Sequence, residues 1–359
     1  MSLFRFELRK LLLNKSTLFL LICLLALYSV VGLTSTVFLI GGSESYRAYE
    51  KISAGWEGPL DPEKAAEAEK VYQEVSARYG TDSRVIARSI KDQPEIILAV
   101  NYHDYAERIE EYRNSPPPEG VAEPKFANIL LWENLFNNWG EHMMQFLLFV
   151  PLTFVIAPVF AVERSSGMDN LILSSRNGRG KIITAKLLSA LVASTVVVAL
   201  YLAATFLFGF LPHGSFHGWD AAIQSIPTYA ESMFPWKVWQ LAAVGAVWLI
   251  FTGAVYSLII CFVSSRMKSQ IGTAGVSLAV MFVNVGLAAM GDTVTERLGV
   301  LVDFGLANVT MMKEVFGGDK VFDVFGTGAS YPVVAVLVLG GFAVLVAWGI
   351  YWGQKNRTV

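Results

Sequence analysis

Residues 187–211 read LLSALVASTVVVALYLAATFLFGFL, an unbroken apolar run without Asp, Glu, Lys, Arg or His. A helix needs about 20 such residues to cross the hydrocarbon core of a bilayer, and this run exceeds that length. Five further stretches qualify: 17–40, 143–162, 238–263, 271–290 and 331–352. The whole chain agrees, with 54% hydrophobic and only 16% charged residues, where soluble domains carry about 25% charge. The expected fold class is therefore an all-α integral membrane protein with six transmembrane helices.

Working outward from these spans, orientation follows from the placement of Lys and Arg. The short pieces 264–270 and 353–359 carry Arg266, Lys268, Lys355 and Arg357 and no acid. Short positively charged loops stay on the cytoplasmic side. Both termini are thus expected to face the cytoplasm of a multi-pass cell-membrane protein. Trp132, Trp139, Trp236 and Trp239 precede spans two and four and read as interfacial anchors on the outer side, with Trp352 on the inner side and Trp248 in the core. The basic start of the chain is no signal peptide by this reading, because the run 17–40 is longer than a signal core of about 7–15 residues.

Residues 41–142 form an extracytoplasmic domain. Asp61-Pro62 is a helix start and Gly80 a stop, with Ala65, Ala68, Tyr72, Val75 and Tyr79 at helical spacing between them. A second stripe, Tyr102, Tyr105, Ile109 and Tyr112, precedes Pro116-Pro117-Pro118, and two amphipathic helices packed together are expected. The outer loop 291–330 contains an apolar piece from Leu298 to Met312 that is too short to span and reads as an interfacial or re-entrant helix. The remaining pieces are 1–16, 163–186 and the tail 353–359.

The chemistry of the chain is marked by what the spans lack. Spans two to six hold no Asp, Glu, Lys, Arg or His, which argues against ion coupling and against an intramembrane enzyme. Asn284 is read as a hydrogen bond between helices, and Cys23 and Cys261 as inert buried thiols. His213 and His217 are four apart, but Pro212 and Gly214 argue for a turn, and no metal site is assigned. His103 and His142 stand alone. Gly178-Arg179-Gly180-Lys181 looks like the end of a phosphate-binding loop, yet Ser175 and Ile182 replace the glycine and hydroxyl that such a loop needs. No nucleotide site and no cofactor follow, and no basic run suggests nucleic acid. ATP would have to be bound by another polypeptide.

Two cytoplasmic segments carry the functional signal. In 1–16, Phe4, Leu8, Leu11 and Leu12 form one apolar stripe, with Arg5, Arg9 and Lys10 directed elsewhere and Phe6 and Leu13 on a second face. This pattern favours a short basic amphipathic helix lying in the inner interface, the alternative being a plain charged segment that extends the first span. In 163–186, Leu171, Ile172 and Leu173 form an apolar cluster among polar neighbours, suited to a groove on a soluble partner or, alternatively, to a loop helix packed on the protein's own span ends. Pro151 and Pro158 should bend span two just ahead of it, and Gly349 and Gly353 should let span six approach a neighbour.

With this layout the chain resembles the permeases of type-2 ATP-binding cassette exporters: an elbow, six spans, both ends inside, and a Glu-Arg, Gly, paired aliphatic, Arg, Lys pattern after span two. The matching residues are Glu163, Arg164, Gly167, Leu171, Ile172, Arg179 and Lys186. The resemblance implies that this loop is a coupling helix docking on cytoplasmic ABC ATPase subunits, with Glu7 and Arg9 of the elbow joining in. It also implies a second permease copy or a sister permease as partner, and export as the direction. Met168 stands where the family often has Thr, and Asp169 lies two rather than three positions after the glycine. The long first outer loop suggests the subgroup resembling bacterial peptide or bacteriocin-immunity exporters. Apolar spans suggest an amphipathic or hydrophobic substrate. A non-transporting membrane sensor or scaffold, using the helical domain as a binding module, is the alternative.

Overall fold

The computed structural model describes residues 3–81, 83–114, 123–140, 142–174, 180–289, 299–324 and 326–356. Helix α1 (Leu3–Leu12) meets α2 (Lys15–Ile40) at a bend of 54°. Asn14 makes that corner: its backbone carbonyl accepts from Leu18 N at 2.9 Å, and its side chain accepts from Ser16 N at 3.2 Å, so it caps α2. Phe6 and Leu13 are exposed, as the imperfect stripe predicts, and Leu11 is buried.

Among the described residues, five helical units are long and apolar enough to span by themselves, and α2 joins them when taken with α1. The first of the five is broken into α8 (His142–Ile156) and α9 (Pro158–Ser165); the others are α11 (Lys181–Phe210), α12 (Val238–Arg266), α13 (Gln270–Ala289) and, at the C-terminus, a helix over Tyr331–Lys355. All of these but α13 run past the apolar stretches and carry charged residues at an end. Helix α11 packs on α1, α2 and α12 and is the central member.

Proline chemistry shapes the α8–α9 span. Pro151 has no N–H, which would orphan the carbonyl of Leu147; Tyr28 OH of α2 donates to it, and α8 continues unbroken. Pro158 does break the helix. There the freed groups are met by Ser264 of α12, whose hydroxyl donates to Ala157 O (2.7 Å) and accepts from Phe160 N (3.1 Å) and Ala161 N (3.0 Å). Backbone irregularity at membrane depth survives only where a neighbour satisfies it in this way.

At the opposite end of the spans from α1 sits a domain of α3 (Ser43–Ser53), α4 (Pro62–Tyr79), α5 (Ser83–Ile90), α6 (Pro94–Asn114) and α7 (Leu130–Gly140). Asp61 caps α4 by accepting from Glu63 N at 3.0 Å, and Gly80 stops it at φ +84°. Helices α4 and α6 pack together, burying Ala68 and Val75 against Tyr102, Tyr105 and Ile109. The prolines 116–118 lie outside the described residues.

Three expectations change here. Trp132 and Trp139 are buried in the protein rather than set at an interface, because their indole N–H groups reach His217 O (2.9 Å) and Thr205 Oγ1 (2.8 Å). Trp239 and Trp352 are exposed, and Trp248 is buried with its N–H on Val309 O. The apolar piece after α13 does not form one helix: Gly305 interrupts it, and α14 (Leu306–Thr310) and α15 (Met312–Phe316) follow. A hairpin of β1 (Val321–Val324) and β2 (Thr327–Ser330), in register Val321↔Ser330, then leads into α16, the Tyr331–Lys355 helix. Asn284 does link helices, its Oδ1 accepting from Leu306 N at 3.2 Å. Cys261 is buried but Cys23 is exposed on α2.

Candidate functional site

The charged residues flanking the spans converge at the α1 end. Lys186 enters α11 only 2% exposed, where an isolated ammonium would be very costly. Its three N–H donors find three acceptors: Glu163 Oε1 of α9 at 2.7 Å, Glu7 Oε2 of α1 at 3.0 Å and the Val159 carbonyl at 2.9 Å. Lys10 completes the group, 2.7 Å from Glu163 Oε1 and 3.9 Å from Glu7 Oε2. Two ammonium and two carboxylate groups thus bolt α1, α9 and α11 together. Ser189 of α11 adds a hydrogen bond to Phe4 O at 3.2 Å.

Beside this cluster, the Arg164 guanidinium donates to Ser265 O at the end of α12 and lies 3.8 Å from Asp169 Oδ2. Gln354 of α16 donates to the same carbonyl at 3.1 Å. The close approach of α16 to α12 runs through Gly353, where an added Cβ would come within 2.9 Å of the Arg266 guanidinium. Gly167 then turns the chain at φ +71°, a left-handed conformation suited to glycine, into the short helix α10 (Met168–Ser174). On α10, Leu171 is 73% and Met168 54% exposed, while Ile172 turns inward beside Glu163 and Lys186.

The residues expected from sequence are therefore divided in place. Glu7, Glu163 and Lys186 meet in the buried cluster, Arg164 and Gly167 hold the following turn, Leu171 is displayed, and Arg9 is exposed on α1. Arg179 lies outside the described residues. Lys10, read as directed away from the stripe, points inward; its position three residues after Glu7 was the available signal. Ser264, Ser265 and Gln354 carried no signal, because single polar residues at helix ends have no pattern.

The histidines have other roles. His213 is buried against the Tyr46 ring at 4.8 Å, burial holds it below the ordinary histidine range, and His217 pairs instead with Glu50 at 3.0 Å. His103 is not alone: it is buried, stacked on Tyr72 at 3.9 Å, with Nδ1 2.9 Å from Glu69 and Nε2 3.6 Å from Glu107. The side chain of His142 lies outside the described residues.

Apolar spanning helices, polar clusters at their ends and a short helix hung beyond them define a polytopic all-α membrane protein. The family model described as ABC-2 family transporter protein matches residues 67–296, from α4 through α13, and the chain belongs to that family. It is a membrane component of an ABC transporter, a class in which ATP is hydrolysed by a separate ATPase. No curated protein and no solved structure matches it.

Proposed function

We propose that the chain is the permease of an ATP-driven exporter, with the α1 and α10 end in the cytoplasm and the α3–α7 domain outside, and with an amphipathic or hydrophobic substrate. It works with a second permease copy or sister permease, and its ATPase docks on α10 and the neighbouring elbow. The observation that carries this reading is α10 itself: a helix displaying Leu171 and Met168 beyond the span ends, mounted on a frame that leads into α1, α9, α11 and α12. An exposed apolar pair is an anchor for a groove, and a buried ionic mount transmits a push on it as rigid-body motion of the spans. Ile172, half-buried in that mount, supports α10 from behind.

The test is copurification with the cognate ATPase. Replacing Met168 and Leu171 together by Asp changes only exposed side chains, so the permease should keep its melting temperature. Its affinity for the ATPase should fall about 30-fold, as expected for loss of an interface anchor worth about 2 kcal/mol. A complex that survives the double change at wild-type affinity sinks the docking assignment.

A further inference from the structure

A cavity of about 1070 Å³ opens at the domain end of the spans, between the α3–α7 domain and the 214–237 segment that joins α11 to α12. It is larger than most small-molecule pockets, which run about 300–1,000 Å³. Four carboxylates line it, Glu50, Glu57, Glu123 and Asp220, against the ammonium groups of Lys125 and Lys237. Glu50 is engaged by His217 and Glu123 by Arg113 at 3.4 Å, whereas Glu57 and Asp220 form no salt bridge among the described residues. The wall is thus net negative; Glu57 accepts one backbone N–H, from Asn128 at 3.4 Å, and it and Asp220 are the carboxylates of the wall without a cationic partner among the described residues.

The same wall is aromatic. Phe216 and Trp219 are more than half exposed, and Phe216 is held in place by stacking on Phe210 at 5.2 Å. Trp236 stacks on Phe234 at 4.4 Å. Exposed aromatic faces beside carboxylates suit a ligand that carries both ammonium or guanidinium groups and apolar surface.

An independent observation comes from Gln224, which lines the cavity and is only 2% exposed. Its amide nitrogen donates to Ser232 O (2.9 Å) and Phe234 O (2.8 Å), which fixes the side chain, yet its Oε1 has no hydrogen-bond partner among the described residues. A buried acceptor without a donor is costly, and because this oxygen is closed to solvent, a ligand N–H would relieve it only with a small shift of the cavity wall.

We propose that this cavity binds a cationic amphipathic molecule of short-peptide size. The inference rests on the exporter reading only for its sidedness, which puts the cavity outside the membrane, and it narrows the substrate class of that reading to molecules bearing positive charge and apolar surface together.

The full-length chain in nanodiscs of zwitterionic lipid, without ATPase, is titrated with a fluorescent octapeptide of alternating Lys and Leu and with its Glu/Leu counterpart, followed by anisotropy. The Lys peptide should bind and the Glu peptide should not. The Glu57→Gln/Asp220→Asn double variant should bind the Lys peptide about tenfold more weakly, as expected for two partly solvated ion pairs. Trp219→Ala should lose about fivefold, the size of an aromatic contact with a cation. All three substitutions are of exposed side chains, and an unchanged melting temperature confirms that the variants are folded. Equal binding of the two peptides, or wild-type affinity in both variants, overturns the proposal. Because the titration omits the ATPase, its failure leaves the α10 docking experiment standing, and failure of that experiment leaves this one.

Discussion

Lys186 is the residue at which the α1 end of the protein holds or fails. Its ammonium has exchanged water for Glu7, Glu163 and a carbonyl, and the two carboxylates depend on it in turn. Removing one member of a buried ionic group leaves the others uncompensated, at about 3–5 kcal/mol. Lys186→Met should therefore lower the melting temperature in detergent sharply. Lys10→Met should do less, since Lys10 is partly solvated and Lys186 still neutralises Glu163. Equal effects of the two changes would mean that the cluster is not centred on Lys186. The sequence reading treated Lys186 and Glu163 as contacts offered to a partner. In the fold their polar atoms are turned to one another, and under the proposed docking their part would be to keep the mount under α10 rigid.

At the scale of elements, the α8–α9 break shows how one serine on another helix fixes a bend. Ser264→Ala would leave Ala157 O, Phe160 N and Ala161 N without their hydroxyl partner at a buried site. Each unmet buried group costs about 1–3 kcal/mol, so the variant should melt earlier and the α9 amides should exchange faster with deuterium. Unchanged exchange at Phe160 and Ala161 would show that the bend does not depend on Ser264. The prolines were legible in the sequence but not their outcomes, because Pro151 and Pro158 differ only in what the neighbouring helices supply: a tyrosine hydroxyl for one, a serine for the other. The spans, the elbow and the α4 helix between Asp61 and Gly80 were legible for a related reason, since apolar length, amphipathic spacing and capping are local properties. The β1–β2 hairpin was not, its strands being four residues each and their pairing non-local. Nor were the buried tryptophans of α7, because an indole before a span looks the same whether lipid or Thr205 receives its N–H.

For the molecule as a whole, the polar ends of the spans are chemically distinct, and the proposed orientation rests on that difference. The α1 end gathers Arg5, Arg9, Lys10, Arg164, Arg266 and Lys355, and the far end carries the acid-lined cavity. Positive residues near span ends are retained in the cytoplasm, and on that ground the proposed orientation sets α10 inside and the α3–α7 domain outside. Single cysteines introduced on a Cys23→Ala background test this, because Cys261 is buried and should not react. Glu57→Cys in the domain and Leu171→Cys on α10 both replace exposed side chains. In intact cells a membrane-impermeant maleimide should label the cysteine at 57 fully and the one at 171 only after permeabilisation. The reverse pattern would put the acid-lined cavity inside the cell, reverse the direction in which the spans present it, and remove α10 from the reach of any cytoplasmic ATPase. The same pair then reads out the partner: with the ATPase coexpressed and the cells permeabilised, labelling at 171 should be suppressed and labelling at 57 unchanged, because only α10 would lie beneath a docked subunit.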